Sequence, residues 1–271
     1  ALVVTVDVPV YGRRENELRR GMSIPPVLTP RRLLEGALRP RWAYGLVRHR
    51  RISLRNLVDE AGVGAAVRSV QLQTDYLYPD MSWEDVDWIR SEWPGPVFVK
   101  GVMDAEDAAR AVELGLDGIV VSNHGGRQLE SGVGTLDVLP EIAAAIAGRC
   151  ELLVDGGVRR GTDVVKALAL GARAVLVGRP FLYGLAAAGP DGVAAVLEIL
   201  RDELRRTLVL MGCRDVRELN PSWLVPLDPP LPGCAGDRID GGPSAVITHP
   251  DPRGPSPPTE GEGRRSPGEA L

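Results

Sequence analysis

The sequence predicts an α/β fold, a TIM or (β/α)8 barrel truncated at its amino end, with about five of the eight strands present. Three observations carry this. Between residues 97 and 188, apolar runs alternate with helical ones. The apolar runs are short and continuous, as in parallel strands covered by helices on both faces. Residues suited to chemistry stand where each run ends, the position at which such barrels build their sites. No GxGxxG follows the first run, which weighs against a doubly wound dinucleotide-binding sheet.

The elements follow in order. Leu2-Val-Val-Thr-Val6 is a strand ending at Asp7. Residues 11–90 interrupt the rhythm with an Arg-rich, Trp-bearing segment, expected to be a structureless, mobile insert or lid. Val97-Phe-Val-Lys100 ends at Gly101. Asp104 then caps an Ala-rich helix to about Leu114, with Asp107 placed as in a capping box and Gly115 as the stop. Gly118–Ser122 is the next strand, followed by a polar loop and a helix near Leu136–Ala147. Glu151–Val154 ends in Asp155-Gly156-Gly157, with a helix over Thr162–Leu170. Ala172–Val177 ends at Gly178-Arg179, and Gly192–Gly212 spaces Val193, Val196, Leu197, Leu200, Leu204 and Leu208 as one helical face. Residues 1–225 are therefore expected to be barrel. Residues 226–271, rich in Pro, Gly, Ser and charge, are expected to be a disordered tail. A closed barrel needs eight strands, and five would leave two unpaired edges, hence the expectation of truncation.

Composition narrows the class. At 44% hydrophobic and 25% charged, the chain is globular in type. A net charge of −4 argues against a general nucleic-acid binder. Cys150, Cys213 and Cys234 form no CxxC, which suits a reduced, cytoplasmic protein. No run of 18 apolar residues is present, so no membrane-spanning helix is expected. Only Lys100 and Lys166 among 32 basic residues are lysine, so each asks for a local reason.

Five strand ends carry candidate chemistry. Ser122-Asn-His124-Gly-Gly-Arg127-Gln places a base and a cation on one loop. Imidazole can take a proton near neutrality, and guanidinium can grip a carboxylate with two parallel hydrogen bonds. Together they suit an acid whose neighbouring carbon or hydroxyl loses a proton; the alternative is a surface loop with an incidental His and Arg. Asp155-Gly-Gly-Val-Arg159 and Gly178-Arg179 read as an anion cradle of backbone N–H groups and helix starts, a phosphate site, or else as tight turns alone. Lys100 should face the barrel mouth and stabilise a developing anion, unless it snorkels outward. Asp7 is placed to orient His124.

These residues resemble the carboxyl-terminal part of the FMN-dependent α-hydroxy acid oxidases and dehydrogenases, the family of glycolate oxidase, flavocytochrome-type lactate dehydrogenases, lactate monooxygenase and mandelate dehydrogenase. The resemblance runs from about residue 2 to 225. It is carried by Thr5-Val-Asp7 with Gly12-Arg-Arg14-Glu15, by Val99-Lys100-Gly101, by Ser122-Asn-His124-Gly-Gly-Arg127-Gln-Leu, by Leu153-Val-Asp155-Gly-Gly-Val-Arg159-Arg-Gly-Thr-Asp-Val, and by Leu176-Val-Gly178-Arg179-Pro.

The resemblance implies FMN as cofactor and oxidation of a small L-2-hydroxy acid to the 2-oxo acid. It implies His124 as the base, Asp7 as its partner, and Arg14 and Arg127 as carboxylate clamps. Lys100 would stand beside the flavin ring, with Thr5 and Ser122 also in contact. Asp155, Gly156, Gly157, Val158, Arg159, Gly178 and Arg179 would hold the ribityl chain and phosphate. Family members carry three further strands upstream, with two active-site tyrosines that no residue here matches. The resemblance also implies a homo-oligomer. Residues 38–51 mix arginines with Trp42 and Tyr44, a combination suited to peripheral contact with an anionic membrane, as in some family members, or else to a solvated lid. Two other readings stand beside this one. One is an inactive or split-protein fragment needing a partner chain. The other is a phosphate-binding barrel of different chemistry.

Overall fold

Five parallel strands form one sheet in a computed structural model, which describes residues 1–10, 12, 14–19, 21, 29–48, 79–129 and 131–225. They are β1 (Leu2–Thr5), β2 (Val97–Val102), β3 (Gly118–Val121), β4 (Glu151–Val154) and β5 (Ala174–Val175), hydrogen-bonded in sequence order. Parallel neighbours in unbroken order, joined by helices, are the arrangement of a partial α/β barrel. Thr5 pairs with Lys100, and Val121 with Val154, so the strand ends that bear chemistry lie side by side. The register slips between Lys100 and Val102. There Gly101 takes φ 114°, and a Cβ on it would stand 2.7 Å from Asp7 Cβ. Only glycine lets Asp7 fold this closely over the bulge.

The described helices are α1 (Glu15–Arg19), α2 (Pro30–Ala37), α3 (Pro40–Arg48), α4 (Trp83–Glu92), α5 (Ala105–Glu113), α6 (Thr135–Ile146), α7 (Gly161–Ala169) and α8 (Arg179–Met211). All four residues of β3 are buried, because the central strand is covered on both faces. Val97, Val99, Ile119, Val121, Leu152 and Val154 pack with Ala108, Ala111, Leu139, Ile142 and Ile146 of the flanking helices. Asp104 caps α5 as expected, accepting from Asp107 N. The Asp107 carboxyl makes no reciprocal cap; burial, and then the neighbouring Asp104, push its pKa up.

Among the described residues of 11–90, helices α1 to α4 replace the expected structureless chain. Helix α4, with a complete Ser82/Asp85 capping box, buries Val86 in the core just before β2. Residues 49–78 of that segment, and the proposed tail from 226 onward, lie outside the described residues. The last strand is shorter than expected, because only Ala174 and Val175 pair with β4.

Helix α8 begins at Arg179, well before the expected Gly192. Its backbone breaks at Ala188 and Gly189, next to Pro190, and the two halves meet where Gly184 and Gly192 touch. By length and composition α8 is apolar enough to cross a membrane, which the sequence reading passed over. The break makes it two shorter helices. The second half carries Asp191, Glu198, Arg201, Asp202, Glu203, Arg205 and Arg206, and places Leu204 and Leu208 against Val165 and Ala169 of α7. Arg160 and Gly161 N both bond to Glu203, at 2.7 and 2.9 Å, which pins the start of α7 to α8.

Candidate active site

Four consecutive strand ends converge on one buried polar cluster. Asp7 follows β1, Lys100 lies in β2, Ser122 follows β3 and Asp155 follows β4. Lys100 Nζ donates to Ser122 Oγ at 2.6 Å and stands 3.0 Å from Asp155 Oδ2 and 3.7 Å from Asp7 Oδ2. Ser122 is wholly buried. Its hydroxyl donates its single proton to Asp7 Oδ2 (3.2 Å) and accepts from Lys100 and from His124 N (3.1 Å), so its donor and both lone pairs are used. This is the local reason for a lysine in a lysine-poor chain. A compact ammonium with three donors reaches three separate oxygens, where a planar guanidinium would demand a fork.

His124 Nδ1 lies 3.1 Å from Asp7 Oδ1. An ionised carboxylate only accepts, so Nδ1 carries the hydrogen and Nε2 keeps its lone pair in the neutral ring. His124 itself has φ 55°, followed by Gly125 at 66° and Gly126 at 70°. A left-handed non-glycine residue costs on the order of 1–2 kcal/mol and persists only where its surroundings hold it. Asn123 is part of that hold: its backbone O and Oδ1 both accept from Gly126 N, and its Nδ2 donates to Val133 O.

The Arg14 segment is fastened to the same loop. Gln128 accepts from Gly12 N (3.3 Å) and donates to Val10 O (2.7 Å). A Cβ on Gly12 would stand 2.1 Å from Arg127 O, so the two backbones approach as only glycine allows. Arg14 and Arg127 then meet at one carboxylate, Glu17. Arg127 Nη2 is 3.2 Å from Oε1, and Arg14 Nη1 is 3.5 Å from Oε2.

A cavity of about 940 Å³ opens over these strand ends. Arg14, Lys100, His124 and Arg127 line it, together with Asp155, Gly156, Gly157, Val158, Arg159, Gly178 and Arg179. Asp7 and Ser122 are behind this wall, in contact with His124 and Lys100. Thr5 pairs with Lys100 in register but is exposed and outside the wall. No role was expected for Glu17 or Gln128, nor for Gly125, Arg160, Leu176, Pro180, Leu182 and Tyr183 of the cavity wall. The last two come from the half of α8 whose start was misplaced, while Glu17 sits one helical turn after Arg14, a signal that was legible.

The cavity suits a phosphorylated polyol such as the ribityl phosphate of FMN. Asp155 Oδ1 is buried without a partner among the described residues, an acceptor ready for a hydroxyl donor. Gly157 and Gly178 leave open space where a Cβ would stand. The two helix starts are not equivalent, however. At α7, Arg159 N and Arg160 N are both taken by Asp163 Oδ2 at 2.9 Å, and Gly161 N by Glu203. Among the described residues no side chain caps α8 at Gly178. Its N-terminus and the Arg159 and Arg179 guanidiniums are the groups at this end of the cavity that could meet an anion. Arg179 also donates to Gly125 O at 3.0 Å, which joins this end of the cavity to the His124 loop.

Comparison with known proteins bears on this arrangement. The family model for FMN-dependent dehydrogenases matches residues 1–226. The chain is 43% identical over 224 residues to an L-lactate oxidase of Nostoc, covering 83% of this chain and 56% of that protein. It is 44% identical over 227 residues to an L-lactate dehydrogenase of Caulobacter vibrioides, covering 82% and 58%. A crystal structure of the monotopic membrane protein (S)-mandelate dehydrogenase aligns with a TM-score of 0.76 at 42% identity, covering 83% of this chain and 59% of that one. A mandelate oxidase with a monooxide FMN adduct aligns at 0.51 and 53% identity, over 54% and 47%. The chain thus spans just over half the length of the curated relatives it matches.

Proposed function

Because this chain belongs to the FMN-dependent dehydrogenase family, the α-hydroxy acid oxidases and dehydrogenases, we propose that it serves in the FMN-dependent oxidation of an L-2-hydroxy acid to the 2-oxo acid. FMN, when bound, supplies the acceptor for the electron pair of the substrate Cα–H bond. His124 Nε2 takes the substrate proton, and Asp7 faces the resulting imidazolium charge. Arg14 and Arg127 hold the substrate carboxylate by charge-assisted hydrogen bonds. Lys100 presents a fixed positive charge at the wall, held there by Ser122, Asp7 and Asp155. Asp155 would hold the ribityl chain of FMN through its unpartnered Oδ1, and Gly156, Gly157, Val158, Arg159, Gly178 and Arg179 would hold the phosphate. The contact expected of Thr5 rests on the family resemblance alone.

The observation that carries the proposal is His124, bonded from behind by Asp7, on the wall of a cavity that also bears Arg14 and Arg127. The relatives' names favour catalysis over the split or inactive fragment. The test is to purify the chain with FMN, remove free flavin, and record visible absorption before and after adding L-lactate or (S)-mandelate. A flavin band that bleaches with the L-acid and not with its enantiomer is expected. Retained flavin that no L-2-hydroxy acid bleaches would overturn the proposal.

The same proposal includes peripheral membrane contact through residues 38–51, of which 49–51 lie outside the described residues. Helices α2 and α3 leave Leu33, Leu34, Leu38, Trp42 and Tyr44 exposed, and residues 30–48 hold five arginines against one glutamate. Exposed apolar and interfacial aromatic side chains beside cations suit an anionic bilayer surface. The chain should sediment with vesicles containing phosphatidylserine and not with purely zwitterionic ones, and salt should release it. A lid role predicts no sedimentation with either. A homo-oligomer, the remaining part of the proposal, is checked by sedimentation equilibrium without lipid.

A further inference from the structure

Two like-charged guanidiniums must be held side by side to grip one small carboxylate, and the described structure contains a group suited to that task. Glu17 receives one nitrogen from each: Arg14 Nη1 at 3.5 Å on Oε2 and Arg127 Nη2 at 3.2 Å on Oε1. Arg14 and Glu17 are three residues apart in sequence, whereas Arg127 arrives from the loop after β3. Arg14 Nε is buried with no partner among the described residues, so this guanidinium retains donor capacity. Both arginines line the cavity and Glu17 does not.

The geometry points to Glu17 as the positioning residue of the carboxylate clamp, which rests on the hydroxy-acid reading above. Two positive charges and one negative leave a single net positive charge to meet a singly charged substrate. The bridge also offsets the mutual repulsion that would otherwise spread the arginines. A different role can be set against it. A glutamate between two substrate-binding arginines could stand in the place of the substrate carboxylate and have to leave before substrate enters. Its position outside the cavity wall argues for support from behind.

The experiment uses the full chain, with and without FMN, and measures binding of a 2-oxo acid (pyruvate or phenylglyoxylate) and of its uncharged amide by calorimetry. Glu17→Gln keeps the size of the side chain and removes its charge. The expected result is an acid-to-amide affinity ratio lowered about tenfold, the scale of one charge-assisted hydrogen bond, with Glu17→Asp recovering part of it. In turnover, KM for the acid should rise while kcat holds, because the clamp binds ground and transition states alike. Unchanged or tighter acid binding by Glu17→Gln would overturn the assignment and favour the stand-in. An equal loss for acid and amide would overturn it as well, since that marks a merely structural role. If the unaltered chain binds neither 2-oxo acid, it is the underlying reading of the site that fails.

Discussion

Lys100 and Asp155 form a 3.0 Å ion pair across β2 and β4, strands that are not neighbours in the sheet. The pair spans the end of β3, where Ser122 fills the gap beneath and bonds to Lys100. One ammonium therefore ties together carboxylates from the ends of β1 and β4. Replacing it with Met leaves two close, poorly solvated carboxylates uncompensated. Lys100→Met should lower unfolding stability by about 3 kcal/mol, and adding Asp155→Asn should return part of that loss. Urea denaturation of the two variants measures both; no recovery in the double variant would refute the coupling.

His124 depends on Asp7 for its tautomer. His124→Asn should lower kcat for hydroxy-acid oxidation by about 10²–10⁴-fold, the range of general base catalysis. Asp7→Asn should also lower kcat, because an amide offers Nδ1 a donor as readily as an acceptor and so permits the wrong tautomer. Stopped-flow reduction of the bound flavin reports the step directly. Wild-type reduction rates in Asp7→Asn would show that the 3.1 Å contact has no part in orienting the base.

Arg127, on the histidine's own loop, is proposed as a substrate clamp. Arg127→Met should cost roughly 2–5 kcal/mol in kcat/KM, the scale of removing one partner of a desolvated charged pair. Steady-state kinetics with an acid and its amide separates the causes. The acid alone should lose.

The junction of α7 and α8 leaves no room for a methyl group. A Cβ at Gly161 would lie 2.2 Å from Leu204 N, a backbone atom that cannot rotate away. Gly161→Ala should destabilise the protein by about 1–3 kcal/mol through forced separation of the helices. A melting temperature equal to the parent's would contradict this packing.

Glu203 at the same junction sets a pH dependence. The Gly161 N–H bond first, and the Arg160 bond second, hold its carboxyl below the usual range. A carboxyl whose pKa is lower folded than unfolded stabilises the fold above its unfolded value, and that contribution fades as pH falls through the folded one. Glu203→Gln should therefore melt below the parent at neutral pH. The gap should close as the solution is acidified past about pH 4. A gap that stays constant on acidification would assign the loss to packing.

The sequence by itself determined the strand–helix rhythm and the chemistry at the strand ends. Buried parallel strands must be written as continuous apolar runs, and their last residues must face the mouth, so Lys100, His124, Asp155 and Gly178 could be placed without coordinates. The family was legible for the same reason, from motifs that are local. Tertiary structure alone decided which residues meet. Asp7 and His124 are 117 positions apart and Glu17 and Arg127 are 110 apart, and their contacts depend on strand order and register. It also decided that α4 packs Val86 into the core within the segment 11–90, that α8 starts at the Arg179 end of the cavity and breaks at Gly189, and that the donors opening α7 are already taken by Asp163 and Glu203. Local patterns carry burial and turn chemistry, because those depend on a residue and its near neighbours. Hydrogen-bond partners across a sheet are set by the packing of the whole, and no short stretch of sequence encodes them.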